Sequence, residues 1–230
     1  AWRDPFVYRD DAGSLRALVT ARSEDDGGDV RRRGCVATCV LESPEMWRVT
    51  GCMAVDSGYP IMEVPEIFHL DGAWWLTFNS GSAWGLDLDT DTRRRSSGTY
   101  YLRGERPGGP WSRPSCNLLI GSGEGRRDAL VARSVWWGEE RLVYHHYDGE
   151  IAPGSSRAFG FPKVLTCVSG RPVLRPWPGL EALRTREYRF SQATDRIPSP
   201  VLCEGAWHID ADAAAGTDGA PAVSGGGSRG

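Results

Sequence analysis

A strand–turn–strand unit that recurs three times is the feature that most constrains the fold of this chain. Each unit consists of an apolar run, a tight turn that contains Asp or Gly, and a second apolar run. The turn glycines are Gly13, Gly72 and Gly138, which lie 59 and 66 residues apart. A self-similar spacing of this kind indicates an architecture built from repeated supersecondary units.

Two further strand-like segments follow each unit, so one repeat contains about four short strands in about 60 residues. Four-stranded units arranged radially form the blades of a β-propeller. The alternative all-β fold, a sandwich, would not repeat one turn signature at near-constant spacing. We therefore predict a partial β-propeller over residues 1–207, with about three blades, at roughly 1–60, 61–127 and 128–207. Because closure needs about four to eight blades, we expect the missing blades to precede residue 1.

The composition excludes several other classes of protein. A hydrophobic content of 40% and a net charge of −3 rule out an intrinsically disordered chain. Asp and Glu number 30 against 27 for Lys and Arg, so no nucleic-acid partner is indicated. No uncharged run reaches the length of a membrane-spanning helix, so no membrane partner is expected. The Gly-, Ala- and Ser-rich segment 208–230 is predicted to be disordered.

The cysteines give an expectation about the compartment. None of the six lies in a Cys-x-x-Cys motif, and no His has zinc-ligand spacing from them. Cys35 and Cys39 are four residues apart in a predicted strand, so they are expected to share a face rather than to bond to each other. Buried free thiols are favoured over a disulfide framework, which favours the cytoplasm over secretion.

Two acidic residues, Asp4 and Glu63, occupy corresponding positions near the start of the first strand in the first and second repeats. The inner strands of propeller blades line one central channel, so these side chains are expected to meet at one mouth. Glycoside hydrolysis needs a carboxylic acid that protonates the leaving group and further negative charge near the developing oxocarbenium ion. The alternative is that each acid only accepts backbone hydrogen bonds, but its recurrence in successive repeats favours the catalytic interpretation.

The motif Trp2-Arg3-Asp4-Pro5-Phe6 resembles the Arg-Asp-Pro motif of the five-bladed propeller glycosidases of family 32, which include invertases, levanases and other β-fructosidases. Families 43 and 68 have related motifs. Residues 62–75, which begin Met-Glu-Val-Pro-Glu-Ile-Phe, resemble the Glu-Cys-Pro segment of family 32, with Val where most members have Cys. Further matches lie at residues 98–102, 109–111 and 160–165, and the resemblance covers about residues 2–185.

The resemblance implies a retaining glycoside hydrolase that acts on fructosyl or similar furanosyl linkages. Glu63 would be its general acid/base and Asp4 its transition-state stabiliser. Arg3 would bind the carbohydrate substrate or orient the acid, and Trp2 beside it is a further candidate for substrate binding. The family's nucleophile is an aspartate in an Asp-Pro-Asn motif of the first blade, and this motif is absent here. Either the sequence is a fragment that starts at the third of five blades, or the protein has lost the nucleophile and only binds carbohydrate.

Other residues are secondary candidates. Trp84 is a candidate for stacking on a sugar, and Asp128, at the start of the third repeat, is a candidate for the pocket. Glu66 is three residues beyond Glu63, so strict alternation would place it on the opposite face, away from the chemistry. His145 is expected to serve packing rather than ligand binding. No motif indicates a metal, a phosphate-binding loop or another cofactor, and the sequence leaves the oligomeric state open.

Overall fold

The computed structural model describes residues 2–23, 32–55, 58–81, 97–121, 128–148 and 157–183. The chain divides into two compact units, and the first, which ends at Pro178, contains all the β-strands of the described ranges. A short 3₁₀-helix spans Pro178–Leu183. No helix in the described part of the chain is long and apolar enough to cross a membrane. The segment 208–230 lies outside the described residues.

Three antiparallel sheets follow one another along the chain, and each contains a path of four hydrogen-bonded strands. The first sheet consists of β1 (Arg3–Arg9), β2 (Leu15–Arg22), β3 (Gly34–Ser43) and β4 (Met46–Val55). The second consists of β5 (Glu63–Leu70), β6 (Ala73–Ser80), β7 (Gly98–Gly104) and β8 (Trp111–Ser112), with β9 (Leu118–Gly121) paired with β7. The third consists of β10 (Asp128–Trp137), β11 (Glu140–Asp148), β13 (Lys163–Val168) and β14 (Arg171–Pro176), with β12 (Arg157–Phe159) paired with β11. The all-β, four-stranded repeat is confirmed.

The turns between the first two strands of each sheet follow from the local sequence. Asp71 and Gly72 both have positive φ angles, 52° and 72°, which a type I′ turn requires and which an Asp-Gly pair favours. In the first sheet the Asp10 carboxylate accepts hydrogen bonds from the backbone N–H groups of Ala12 (3.0 Å) and Ser14 (2.9 Å). That side chain therefore closes a longer turn in the way Asp commonly does.

Two hydrophobic clusters separate the sheets. The first lies between the first and second sheets, and its buried members are Leu18, Val36, Tyr59, Met62, Ile67, Leu76, Phe78, Tyr100 and Leu102. The second lies between the second and third sheets and consists of Phe68, Ala73, Trp75, Tyr101, Ala132, Val143 and Leu165. Trp75 and Leu76 are adjacent on β6 but belong to different clusters, because successive side chains of a strand point to opposite faces. The middle sheet is thus covered on both faces.

No disulfide joins the cysteines in the described part of the chain. Cys35 and Cys39 are buried on β3 and Cys167 is half-buried, whereas Cys52 and Cys116 are exposed. The sixth cysteine, Cys203, lies outside the described residues.

Close contact at Gly34 joins the first sheet to the segment that precedes β5. The Gly34 backbone N–H donates a hydrogen bond to the carbonyl of Tyr59 (2.9 Å). A Cβ at this position would lie 2.6 Å from the backbone nitrogen of Ile61 and 2.7 Å from the carbonyl oxygen of Tyr59. Because both neighbours are backbone atoms, they cannot move aside as the end of a side chain can.

We expect Gly34→Ala to lower the free energy of unfolding by about 1–3 kcal/mol, the usual cost of overpacking. Gly108→Ala is the matched control, because a Cβ at Gly108 meets no atom within 4 Å. Urea denaturation of both variants and the parent measures the difference. Equal midpoints for the two variants would contradict the close contact at Gly34.

Candidate active site

The first strand of each sheet begins with the same backbone irregularity. Asp4, Val64 and Val131 have left-handed φ angles of 55°, 50° and 56°. Beside each of them the cross-strand register shifts. A positive φ is uncommon for any residue with a Cβ and is most unfavourable for β-branched residues such as Val. The tertiary structure therefore imposes this conformation, and it defines equivalent positions in the three sheets.

The register corrects the predicted equivalence of the two acids. Glu63 is equivalent to Arg3, whereas Asp4 is equivalent to Val64. The prediction is off by one position, because the acid directly precedes proline in the first sheet and is separated from proline by one residue in the second. In the third sheet Leu130 holds the position equivalent to Glu63.

The same bulge corrects the placement of Glu66. Glu63 pairs with Asn79 and Glu66 pairs with Thr77. Asn79 and Thr77 share a face of β6, because they are two residues apart. Glu66 therefore lies on the same face of the sheet as Glu63, not on the opposite face that strict alternation predicts. It is 2% exposed, and its carboxylate contacts the third sheet.

One guanidinium connects the two candidate catalytic carboxylates. Nη2 of Arg3 forms an ion pair with Oε1 of Glu63, and Nε of Arg3 lies 3.5 Å from Oδ2 of Asp4. The side chains of Arg3, Asp4 and Glu63 are 37%, 30% and 18% exposed, so a ligand in solution can reach them. Two adjacent blades thus bring two acids and one guanidinium to a partly open site.

Two buried polar residues, which sequence reasoning missed, support this site. The hydroxyl of Thr20 donates a hydrogen bond to the carbonyl of Met62 (3.1 Å) and lies 3.4 Å from Oδ2 of Asp4. The amide nitrogen of Asn79 donates to Oε2 of Glu63 at 3.5 Å. The amide oxygen of Asn79 accepts a hydrogen bond from the backbone N–H of Val131 at 3.3 Å.

The sequence carries only a partial signal for Thr20 and Asn79. Thr20 lies directly opposite Arg3, and Asn79 lies directly opposite Glu63. Each is a buried polar residue near the end of a largely apolar second strand. Counting back from the hairpin turn in regular register leads instead to Ala21 and Ser80, because the register shifts by one residue before each candidate is reached. The sequence therefore marks Thr20 and Asn79 as polar residues near the ends of their strands, but not as the partners of Arg3 and Glu63.

The other predicted site residues are Trp2, Asp128 and Trp84, and only the first has a described side chain. Trp2 directly precedes β1 and is 61% exposed. Asp128 is the first residue of β10, opposite Asp148, and its side chain lies outside the described part of the structure. Trp84 also lies outside the described residues. Among the residues that are described, no group of three or more His, Cys, Asp or Glu side chains is arranged to hold a metal ion.

A second titratable cluster lies in the third sheet. Nε2 of the buried His145 is 3.3 Å from Nζ of Lys163, which also donates a hydrogen bond to the carbonyl of Phe161 (3.0 Å). Burial, together with the charges of Lys163 and His146, lowers the pKa of His145 to about 4. Nδ1 of the ring has no hydrogen-bond partner among the described residues, and a Cβ on Gly160 would collide with the ring. His145 is therefore a neutral, tightly packed group.

No protein-family model matches the sequence, and no curated protein matches it either. Several solved structures are nevertheless similar. A GH32 β-fructofuranosidase from Bombyx mori, in complex with sucrose, has a TM-score of 0.59 at 15% identity, over 80% of this chain and 39% of its own. A levansucrase from B. megaterium has a TM-score of 0.60 at 11% identity, over 76% and 48%. An inulosucrase from Halalkalicoccus jeotgali bound to kestose has a TM-score of 0.55 at 14% identity, over 76% and 50%.

The chain has the β-propeller fold of these enzymes. It spans half or less of the length of each of them. At such low identity the similarity establishes the fold alone, and the chemistry has to be argued from the site. The predicted propeller architecture is confirmed.

The buried His145 predicts a loss of stability in acid. Its pKa is about 4 in the folded chain and about 6.5 in an unfolded chain, so the unfolded chain takes up the proton first as the pH falls. Above about pH 6.5, His145 is neutral in both states and its titration does not change the free energy of unfolding. Between about pH 6.5 and pH 4, its titration lowers the free energy of unfolding by up to about 3 kcal/mol. The measurement is the urea midpoint at about pH 7 and about pH 4.5.

The variant His145→Gln removes this titration, so its urea midpoint should fall less between the two pH values than that of the parent. This holds even if the variant is less stable at neutral pH, because the readout is the change with pH. His69→Gln is the matched control, since His69 is an exposed residue of β5. An equal acid response in the parent and in His145→Gln would contradict a buried, neutral His145.

Proposed function

We propose that this chain belongs to a β-propeller glycosidase that hydrolyses fructosyl or similar furanosyl linkages, and that it supplies the general acid/base and the transition-state stabiliser. The supporting observation is the guanidinium of Arg3, which contacts both Asp4 and Glu63 from two adjacent blades. The solved enzymes with this fold include a β-fructofuranosidase, a levansucrase and an inulosucrase, which is consistent with a carbohydrate substrate.

Glu63 takes the role of general acid/base. It protonates the glycosidic oxygen as the C–O bond breaks, and it later removes a proton from the water that attacks the anomeric carbon. Between these steps, a retaining mechanism needs a second carboxylate that forms a covalent glycosyl intermediate. We assign that nucleophile to a blade outside this sequence, so the chain on its own would not complete hydrolysis.

Asp4 and Arg3 bind the reacting sugar. Asp4 accepts hydrogen bonds from substrate hydroxyls, and its charge stabilises the oxocarbenium-like transition state. The guanidinium of Arg3 carries several N–H donors, so it can orient Glu63 and also donate to substrate hydroxyls. Thr20 and Asn79 are positioning residues, because they contact the acids from the buried side of the site.

A second function, carbohydrate binding without catalysis, is favoured by one observation. Among the side chains that the structure describes, the contacts of Asp4 and Glu63 include Arg3, Thr20 and Asn79 but no third carboxylate. Retaining hydrolysis requires a nucleophile, whereas sugar binding requires only accessible hydrogen-bonding groups. The two functions therefore differ in whether the site contains a third carboxylate that can act as the nucleophile.

In the full-length protein, we expect Glu63→Gln to reduce turnover of an aryl glycoside by at least about 100-fold, the usual contribution of a general acid/base. Gln is nearly isosteric with Glu but cannot transfer a proton. Glu139→Gln is the control, because Glu139 is an exposed residue in the turn between β10 and β11. Undiminished turnover in Glu63→Gln would refute the catalytic assignment.

Calorimetric titration with a short fructan oligosaccharide, followed by an assay for released reducing sugar, separates the two functions. Saturable heat with release supports the hydrolase. Saturable heat without release, lost in Asp4→Asn, supports carbohydrate binding alone. If the full-length protein gives neither heat nor release, both functions are contradicted.

A further inference from the structure

Three cysteines of the first sheet share one face. Cys35 and Cys39 lie on β3, two residues to either side of Ala37, and Cys52 on β4 pairs directly with Ala37. Residues two apart in a strand share a face, and so do residues directly opposite each other in neighbouring strands. Cys52 is therefore a diagonal neighbour of both Cys35 and Cys39.

The structure distinguishes between these two neighbours. The thiols of Cys35 and Cys52 are hydrogen-bonded to each other, and this contact, with burial, holds the pKa of the Cys35 thiol far above its ordinary value. For Cys39, burial alone raises the pKa. Cys35 is 4% exposed, whereas Cys52 is exposed to solvent. One accessible thiol is thus in contact with one protected thiol, the arrangement found where a reactive cysteine has a resolving partner.

We propose that Cys35 and Cys52 form a reversible disulfide that links β3 to β4 when the protein meets a low-molecular-weight disulfide such as oxidised glutathione. The site is independent of the sugar chemistry proposed above. Cys52 reacts first because a solvent-borne reagent can reach it.

The electron and proton balance is that of thiol–disulfide exchange. The Cys52 thiolate attacks one sulfur of the small disulfide, which expels one small thiolate and leaves a mixed disulfide on Cys52. The mixed disulfide removes the Cys52 thiol whose hydrogen bond is the largest cause of the raised pKa of Cys35. The Cys35 thiol then loses its proton to solvent and attacks the Cys52 sulfur, which expels the second small thiolate. The protein loses two electrons and two protons, and the small disulfide is reduced to two thiols.

The position of the pair gives the cross-link a structural effect. β4 is the outermost strand of its sheet and is exposed along most of its length, so the bond would fasten an edge strand to its neighbour. The pair also lies near the candidate active site, because Cys35 precedes Val36, which pairs with Thr20, and Thr20 contacts Asp4. Closing the loop between residues 35 and 52 restricts the unfolded chain and so stabilises the folded one.

The experiment is incubation of the protein with oxidised glutathione at neutral pH, followed by peptide mapping under non-reducing conditions and by thermal unfolding. We expect a linked peptide pair that contains Cys35 and Cys52. We also expect a rise of about 5 °C in the unfolding midpoint, which a reducing phosphine reverses. Cys35→Ser should stop at the mixed disulfide on Cys52, and Cys52→Ser should show no change in midpoint.

Two matched variants serve as controls. Cys39→Ser removes the other buried thiol of the same face, and Cys116→Ser removes an exposed thiol of the second sheet's connecting segment. Both should still form the Cys35–Cys52 bond with the same shift in midpoint. A link between Cys39 and Cys52, a mixed disulfide that persists on Cys52 in the parent, or unmodified thiols at both positions would each overturn the proposal.

Discussion

The candidate site depends on the bulge with which each inner strand begins. A Val in the left-handed region costs about 1–2 kcal/mol relative to its ordinary conformations, yet both Val64 and Val131 adopt it. Strain of this kind persists only where the surrounding structure over-determines it, and it is concentrated at functional sites. Here the bulge follows directly after Arg3 in β1 and after Glu63 in β5, so that these two residues meet as equivalents across two blades.

Two glutamates of the middle sheet, Glu63 and Glu66, each pair with an arginine of a neighbouring sheet, and the two pairs differ in burial. The side chains of Arg141 and Glu66 are 10% and 3% exposed and approach to 3.0 Å. The guanidinium of Arg141 also lies 4.4 Å from the centre of the Phe68 ring. Burial lowers the pKa of Arg141 while the Glu66 carboxylate opposes that shift. Removing one partner of such a pair costs about 3–5 kcal/mol, so this pair fastens the second sheet to the third.

The pair formed by Arg3 and Glu63 is open by comparison, at 37% and 18% exposure. Pairs of this exposure contribute about 1 kcal/mol or less to stability, because water competes for both charges. A sugar hydroxyl can compete in the same way. The charges of Arg3 and Glu63 can therefore exchange partners with a ligand, whereas those of Glu66 and Arg141 are buried and paired at the interface between blades.

These contrasts also show what the sequence could predict. The Asp71-Gly72 turn was predictable, because it depends on the conformational preferences of those two residues. The repeat predicts that Asp4 and Glu63 lie close together, and Arg3 contacts both of them. Their register was not predictable, because the bulge is imposed on Val64, a residue type that disfavours it. The pairing of Glu66 with Arg141 was hidden for another reason, since 75 residues separate them and only packing between sheets brings them together.

A shared propeller fold does not fix the function, which depends on the side chains of the candidate site. Two acids and one cation can protonate a leaving group and stabilise positive charge on a sugar, which are two of the three tasks of a retaining double displacement. Covalent capture of the sugar is the third, and it needs a carboxylate on the opposite side of the anomeric carbon from Glu63. Without that carboxylate, the second proposed function, carbohydrate binding without catalysis, is the one that the same groups could perform. The presence of a third carboxylate beside Asp4 and Glu63 in the full-length protein therefore distinguishes the two proposed functions, hydrolysis and binding.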